Sequence, residues 1–233
     1  MAKWEQLLTN ITTNHPYFGK MTKKDWNKQR AFGKALTNIE IALNHTSKRT
    51  IEDRIEEIDY MMRLIRIDLA SSRKLDAMYG LAWDDDLFPD VFAWKGRYIK
   101  GMKSLEEERD YPLNEETYIS TWEPKSLVKV FKTIKNKGFK TDGNHRARYY
   151  QELDLLHVYN GKHSATAGTV LGGSVPAEIV SISHLYDKIE TDGVYWYCPD
   201  SFQSDKRMWK TSDFRVALLY QLSKMKYELV NSN

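Results

Sequence analysis

A single cysteine, Cys198, occurs in 233 residues, which excludes an internal disulfide and any zinc site built on paired cysteines. Six prolines and 12 glycines are too few for a fibrous or low-complexity chain. No stretch approaches the ~20 apolar residues that span a bilayer, and Met1 to Asn10 lacks the apolar run of a signal peptide. Net charge is small, +3 from 35 Lys and Arg against 32 Asp and Glu, and names no partner by itself. Walker A and dinucleotide-binding glycine fingerprints are missing. These absences leave a soluble globular protein with 41% apolar residues, expected in the cytoplasm and without a membrane role.

The distribution of charge says more than its sum. Residues 1–49 carry +6, residues 76–123 carry −7, and residues 124–150 carry +7 with Asp142 as their one acid. The last block directly precedes the most motif-like part of the chain and suits an anionic ligand. The same runs would serve equally as solvated faces that neutralise one another within the fold.

Periodicity predicts an α+β protein with an N-terminal helical region. Thr22 and Asp25 form a capping pair ahead of Phe32, Ala35, Leu36, Ile39 and Leu43. Thr50 caps a second helix whose stripe runs Ile51, Ile55, Ile58, Met62, Ile65 and Leu69, and the short linker between the two predicts an antiparallel pair. From Leu75 to Glu123 the pattern turns irregular, with scattered aromatics among acids, and reads as a connector or lid. Asp84, Asp85 and Asp86 lack the glycine turn and distal glutamate of a calcium loop. A helix then runs Ser126 to Lys137 with Gly138 as its C-cap, followed by strands Arg146 to Leu153 and Leu155 to Asn160, a helix Ser164 to Gly172 and a strand Val175 to Ile182. Asp192-Gly193 marks a hairpin, and a terminal helix begins near Thr211 or Ser212. The resulting division is a helical region 1–75, an aromatic and acidic connector 76–118, and a small mixed-sheet domain 119–233.

The candidate site is the junction Gly161-Lys162-His163-Ser164, where a strand ends and a helix begins. Gly161 permits a tight turn, and the exposed N–H groups of a helix start attract negative charge. Lys162 supplies a point charge, His163 can donate or shuttle a proton, and Ser164 can donate, cap the helix or act as nucleophile. Ser at a helix start also serves simply as a cap, and Cys198, with no activating partner in sequence, reads as a buried small apolar residue.

The order of elements around this tetrapeptide resembles the ParB/sulfiredoxin-like superfamily, in which a strand pair leads to a Gly-x-His-Arg or Gly-x-Arg-Arg signature and a helix of small residues. Tyr149 to Tyr159 is similar to the strand pair, Gly161 to Ser164 falls on the signature, Ala165 and Ala167 on the helix, and Val175 to Ile182 on the closing strand. The resemblance implies a ParB/sulfiredoxin-like domain that holds nucleotide phosphates at the signature, with Gly161, Lys162, His163, Ser164 and Thr166 as ligand contacts and His163 and Ser164 in any phosphoryl transfer or hydrolysis. Magnesium would accompany a nucleotide; no other cofactor is implied. Ser164 replaces the signature arginine, and Lys162 stands where sulfiredoxins place a reactive cysteine, which disfavours that chemistry. The helices precede the signature domain here, unlike in chromosome-partitioning ParB proteins.

Asp142-Gly143-Asn144-His145-Arg146 spells the signature more literally, but its flanks are too short and charged for a buried strand, so Gly161 to Ser164 is preferred. The two can converge if the 140–146 loop folds over a ligand and adds Lys140, His145 and Arg146 to its anion contacts. Glu178, Asp187 and Asp192 are the carboxylates that lie in the same half. A Ser-His-Asp triad of Ser164, one histidine and Asp187 or Asp192 would lack the Gly-x-Ser-x-Gly elbow, and no His-x-x-x-His pair marks a metal site. Two other classes remain open. Lys125, Lys129, Lys132, Lys135 and Lys137 on one helix, with Tyr149, Tyr150 and Tyr159, would suit a nucleic-acid binder. Seven Trp and 14 Tyr would suit an adaptor or inhibitor with an aromatic recognition surface.

Overall fold

The computed structural model describes residues 22–44, 50–79, 86–199 and 209–231, and among them the fold is α+β. Asp84 and Asp85 lie outside the described residues, and Asp86 is exposed.

Helix α1 spans Lys23–Asn44, and α2 spans Ile51–Lys74. Local chemistry starts both of them. Thr22 Oγ1 accepts the Asp25 N–H at 3.2 Å while the Asp25 carboxylate accepts the Thr22 N–H at 3.2 Å and its hydroxyl at 2.8 Å, and Thr50 with Asp53 completes a capping box. Each reciprocal pair satisfies N–H groups that a helix start leaves without partners. The helices do not meet mainly as an antiparallel pair. Both pack chiefly on the last helix, α5 (Phe214–Asn231), whose residues Val216 to Ser223 are all buried. A helix apolar on every side can accept two neighbours, and that favours this arrangement over a pair closed by the linker. Asp213 starts α5 in place of the expected Thr211 or Ser212, its Oδ1 accepting the Arg215 N–H at 2.9 Å.

Among its described residues, the stretch Leu75 to Glu123 is not irregular. It contains β1 (Val91–Trp94) and β2 (Arg97–Lys100), a tight antiparallel hairpin, and the long β3 (Lys103–Pro112). β3 is exposed along nearly its whole length, so it lacks the apolar alternation that announces a strand. Backbone bonding to its neighbour holds it, with a break in register between Ser104 and Glu108.

Helix α3 (Pro124–Lys137) ends at Gly138, whose φ of 76° is easy only for glycine. β4 (Arg146–Tyr150) and β5 (Leu155–Asn160) form a hairpin, shorter than expected because Gln151 to Asp154 turn. Helix α4 (Lys162–Leu171) starts two residues earlier than the sequence suggested, and β6 (Ser174–Ser181) returns beside β4. The sheet order is β3-β6-β4-β5, with β4 and β6 parallel and the outer pairs antiparallel. Past β5, Tyr118 bridges His157 and prolongs the ladder by two backbone bonds. The short strands β7 (Glu190–Thr191), β8 (Tyr195–Tyr197) and β9 (Trp209–Lys210) form a third sheet around the Asp192-Gly193 turn.

Alternation along the strands divides the core in two. Ala147, Leu156, Val158, Val175 and Ala177 pack with Ala165 of α4 on one face. Tyr150, Leu155 and Val180 join Phe88, Trp196 and the α1, α2 and α5 side chains on the other, where Cys198 is also buried.

Candidate functional site

The first turn of α4 is set by Gly161, which adopts φ 72° and ψ 23° as the N-cap. The left-handed conformation is costly for residues with a Cβ. Space gives a second reason: a Cβ at Gly161 would lie 2.7 Å from His145 Cδ2. The first intrahelical backbone bond joins Ala165 N–H to Gly161 O at 3.0 Å, so the N–H groups of Lys162, His163 and Ser164 precede the hydrogen-bonded ladder.

The loop that contains Asp142 to Arg146 is docked on this turn. Phe139 reaches α4 where there is no side chain, since a Cβ at Gly168 would lie 2.9 Å from its ring and one at Gly173 2.7 Å. Thr141 Oγ1 donates to Ser174 O at 2.9 Å, and the Phe139 ring stands edge-on to His145, centroids 5.3 Å apart. The two signature-like segments therefore converge. His145, 7% exposed, places Nε2 2.7 Å from Ser164 Oγ, and its Nδ1 lies 2.9 Å from Asp142 Oδ1.

The tetrapeptide itself divides. Ser164 faces His145 and also donates to Gly161 O at 2.8 Å. Lys162 and His163 turn the other way, towards the start of α3. His163 Nε2 accepts the Glu123 N–H at 3.3 Å and stacks edge-on with Trp122 at 4.4 Å, while Lys162 Nζ sits 5.3 Å over the same indole. Burial lowers the pKa of both, against an opposing pull on His163 from Glu123. A neutral His163 is the form that can accept a backbone N–H. Thr166 bonds back to Lys162 O at 2.8 Å, within its own helix. Arg146 is exposed and pairs across the ladder with Asn160, next to Gly161. Lys140 is exposed on the loop.

None of the carboxylates considered from sequence stands at this helix start. Asp192 is fully buried in its own turn, with Oδ1 accepting from Val194 and Tyr195 N–H and Oδ2 from Gln29. Asp187 pairs with the adjacent Lys188. Glu178 sits opposite Arg148 on the sheet face away from α4. Asp142 is the residue that sequence reasoning passed over. The signal was its spacing, three residues before His145, which in a turn closed by His145 N–H to Asp142 O at 3.0 Å brings carboxylate and imidazole together.

No curated protein and no solved structure matches the chain. The model of a family described only as of unknown function, DUF6710, matches residues 19–233. A match over nearly the whole chain, through every element described above, places this protein in that family: the chain belongs to the DUF6710 family.

Proposed function

We propose that the protein binds a phosphorylated small molecule, a nucleotide in the fullest form of the reading, at the β5–α4 junction. The observation that carries it is the convergence of the docked 139–146 loop on the Gly161 turn. It brings Arg146, opposite Asn160 in the ladder, next to the Gly161 turn from which α4 starts. Aligned peptide dipoles and the N–H groups of a helix start favour an anion there. The arrangement is also in keeping with a ParB/sulfiredoxin-like signature, in which those groups hold phosphate oxygens. If the bound molecule reacts, the N–H groups of the helix start offset charge on the phosphoryl oxygens. Among the described residues no group of three or more His, Cys, Asp or Glu side chains could hold a metal ion, so magnesium would be held by the nucleotide's phosphates.

The test is a thermal-shift screen of nucleotides and phosphorylated metabolites, with and without magnesium, on wild type and Arg146→Glu. A ligand at 100 times its Kd should add about 2.7 kcal/mol, a rise of several degrees for this size of chain. A shift in wild type that is lost in Arg146→Glu supports the reading; equal shifts, or none, count against it.

A second reading, nucleic-acid binding by α3, is favoured by one observation: Lys125, Lys129, Lys132, Lys135 and Lys137 are all exposed. Two of the three tyrosines offered for base stacking do not support it. Tyr150 is 1% exposed, and Tyr149 stacks on Tyr111 at 4.2 Å. Affinity that falls steeply with salt would uphold this reading, and affinity indifferent to salt would dismiss it.

A further inference from the structure

Ser164, His145 and Asp142 touch in that order, with Oγ hydrogen-bonded to Nε2 at 2.7 Å and Asp142 Oδ1 in charge contact with Nδ1 at 2.9 Å. The order is hydroxyl, imidazole, carboxylate, and the middle member is buried by a ring packed on Phe139. We propose that this trio is a nucleophile, a base and its orienting residue, and that the protein transfers acyl groups from small carboxylic esters through Ser164. The geometry meets what such chemistry requires: hydroxyl and base within hydrogen-bond reach, and a third group fixing the base.

The hydrogen bonds fit one arrangement of the proton, and the reactive one requires Asp142 to shift. Nδ1 faces the Asp142 N–H at 3.1 Å as well as the carboxylate. With Nδ1 unprotonated, it accepts that N–H, Nε2–H donates to Ser164 Oγ, and the serine proton goes to Gly161 O. This is a locked resting state. With Nδ1 protonated, the Asp142 N–H gives up its acceptor and the carboxylate turns to accept the Nδ1–H, so that Nε2 becomes the acceptor of the serine proton. The second arrangement is the reactive one, and the carboxylate stabilises the imidazolium that follows.

The steps balance without a further reactant beyond water. Ser164 Oγ bonds to the ester carbonyl carbon as its proton passes to His145 Nε2. The carbon–alkoxide bond then breaks, and the alcohol leaves with that proton. Water adds its oxygen to the acyl carbon and gives a proton to Nε2; the carboxylic acid departs and Ser164 regains its hydrogen. The N–H groups of Lys162, His163 and Ser164, on the same first turn of α4 as the nucleophile, would serve as donors for the tetrahedral oxyanion. They are the groups invoked above for phosphate, so inorganic phosphate should compete with the acyl substrate.

The test uses the full chain with a fluorophosphonate probe and p-nitrophenyl butyrate. Intact mass and peptide mapping should show one adduct, on Ser164, with none in Ser164→Ala. His145→Gln keeps a side-chain donor for Ser164 and should melt with wild type, yet label and turn over roughly 10²- to 10⁴-fold more slowly for want of a base. Asp142→Asn keeps an oxygen for the Asn144 N–H that it caps at 3.0 Å and should fall in the same direction. Unlabelled wild type, or His145→Gln labelled as fast as wild type, overturns the proposal; the second result would leave His145 as a structural lock. Labelling that phosphate does not slow keeps the nucleophile and removes the phosphate site, whereas a nucleotide thermal shift without labelling does the reverse.

Discussion

His157 holds two ring nitrogens that are buried and, among the described residues, without a hydrogen-bond partner. Its neighbours are the rings of Tyr118 at 5.1 Å, Tyr159 at 6.0 Å and Tyr150 at 6.5 Å. Burial, aided by Arg148 across the ladder, pulls its pKa down to about 3. In the unfolded chain the value returns to about 6.5. Between the two, the unfolded state takes up a proton that the folded state refuses, so folding stability drops as pH falls, by up to about 1.4 kcal/mol per pH unit. His163 and His184 shift in the same direction. His157→Phe should therefore lose less stability than wild type between pH 6.5 and 4.5, by roughly 2–3 kcal/mol, measured from urea midpoints; equal losses would place the proton uptake elsewhere.

Gly161 is the second residue at which conformation and contact coincide. Gly161→Ala forces a Cβ into the left-handed region, at a cost of about 1–2 kcal/mol, and against the His145 ring at 2.7 Å. The expected outcome is a melting temperature lower by several degrees, together with a displaced His145. In a Gly161→Ala/His145→Ala double variant the contact part of that loss disappears. The two single effects should then add to more than the double, a sign of coupling.

At the scale of elements, α3 and α5 are opposites. α3 is strongly amphipathic in sequence, yet Ile134 is its one buried residue, and it packs chiefly on α4. Phe131, Val128 and Trp122 just before it remain exposed. α5 buries eight consecutive residues between α1 and α2. Local opening follows buried apolar contact. In native-state hydrogen exchange the amides of α3 should exchange well before those of α5, which should report global unfolding. Protection of α3 equal to that of α5 would imply an unseen partner on its lysine face. Because His163 clasps the α3 start, opening of α3 also frees Lys162 and His163 at the candidate site.

Across the whole molecule, several ion pairs join the first two helices to the last part of the chain, and one of them is buried on both sides. Arg73 of α2 and Asp213 at the head of α5 meet at 2.7 Å with side chains 4% and 7% exposed. Asp213 also holds Arg215 at 3.0 Å. Removing one member of a buried pair leaves the other charged and desolvated, typically a loss of 3–5 kcal/mol. Asp213→Ala should approach the upper part of that range, since it deletes the α5 cap as well. Chemical denaturation of Asp213→Ala and Arg73→Met would check this, with the double variant losing less than the sum. A loss under about 1 kcal/mol in both would mean the pair is solvated.

Where structure depends on neighbours close in sequence, the sequence by itself determined it. The capping pairs at Thr22 and Thr50, the glycine ends at Gly138 and Gly161, the β4–β5 hairpin and the Asp192-Gly193 turn all follow from residues within about four positions, where hydrogen bonding and φ preference act directly. Only the tertiary structure decided the rest. β3 has no apolar face of its own and exists because β6 supplies its backbone partners. α1 and α2 lie on α5 because burial depends on which surfaces are complementary, not on the length of a linker. The candidate site shows the same division. Gly161 to Ser164 announced a helix start, but nothing in their spacing said that His145, 19 residues before Ser164, would reach its hydroxyl. Phe139, docked where Gly168 and Gly173 lack side chains, made that contact. It is a packing event between distant segments, and no local preference encodes it.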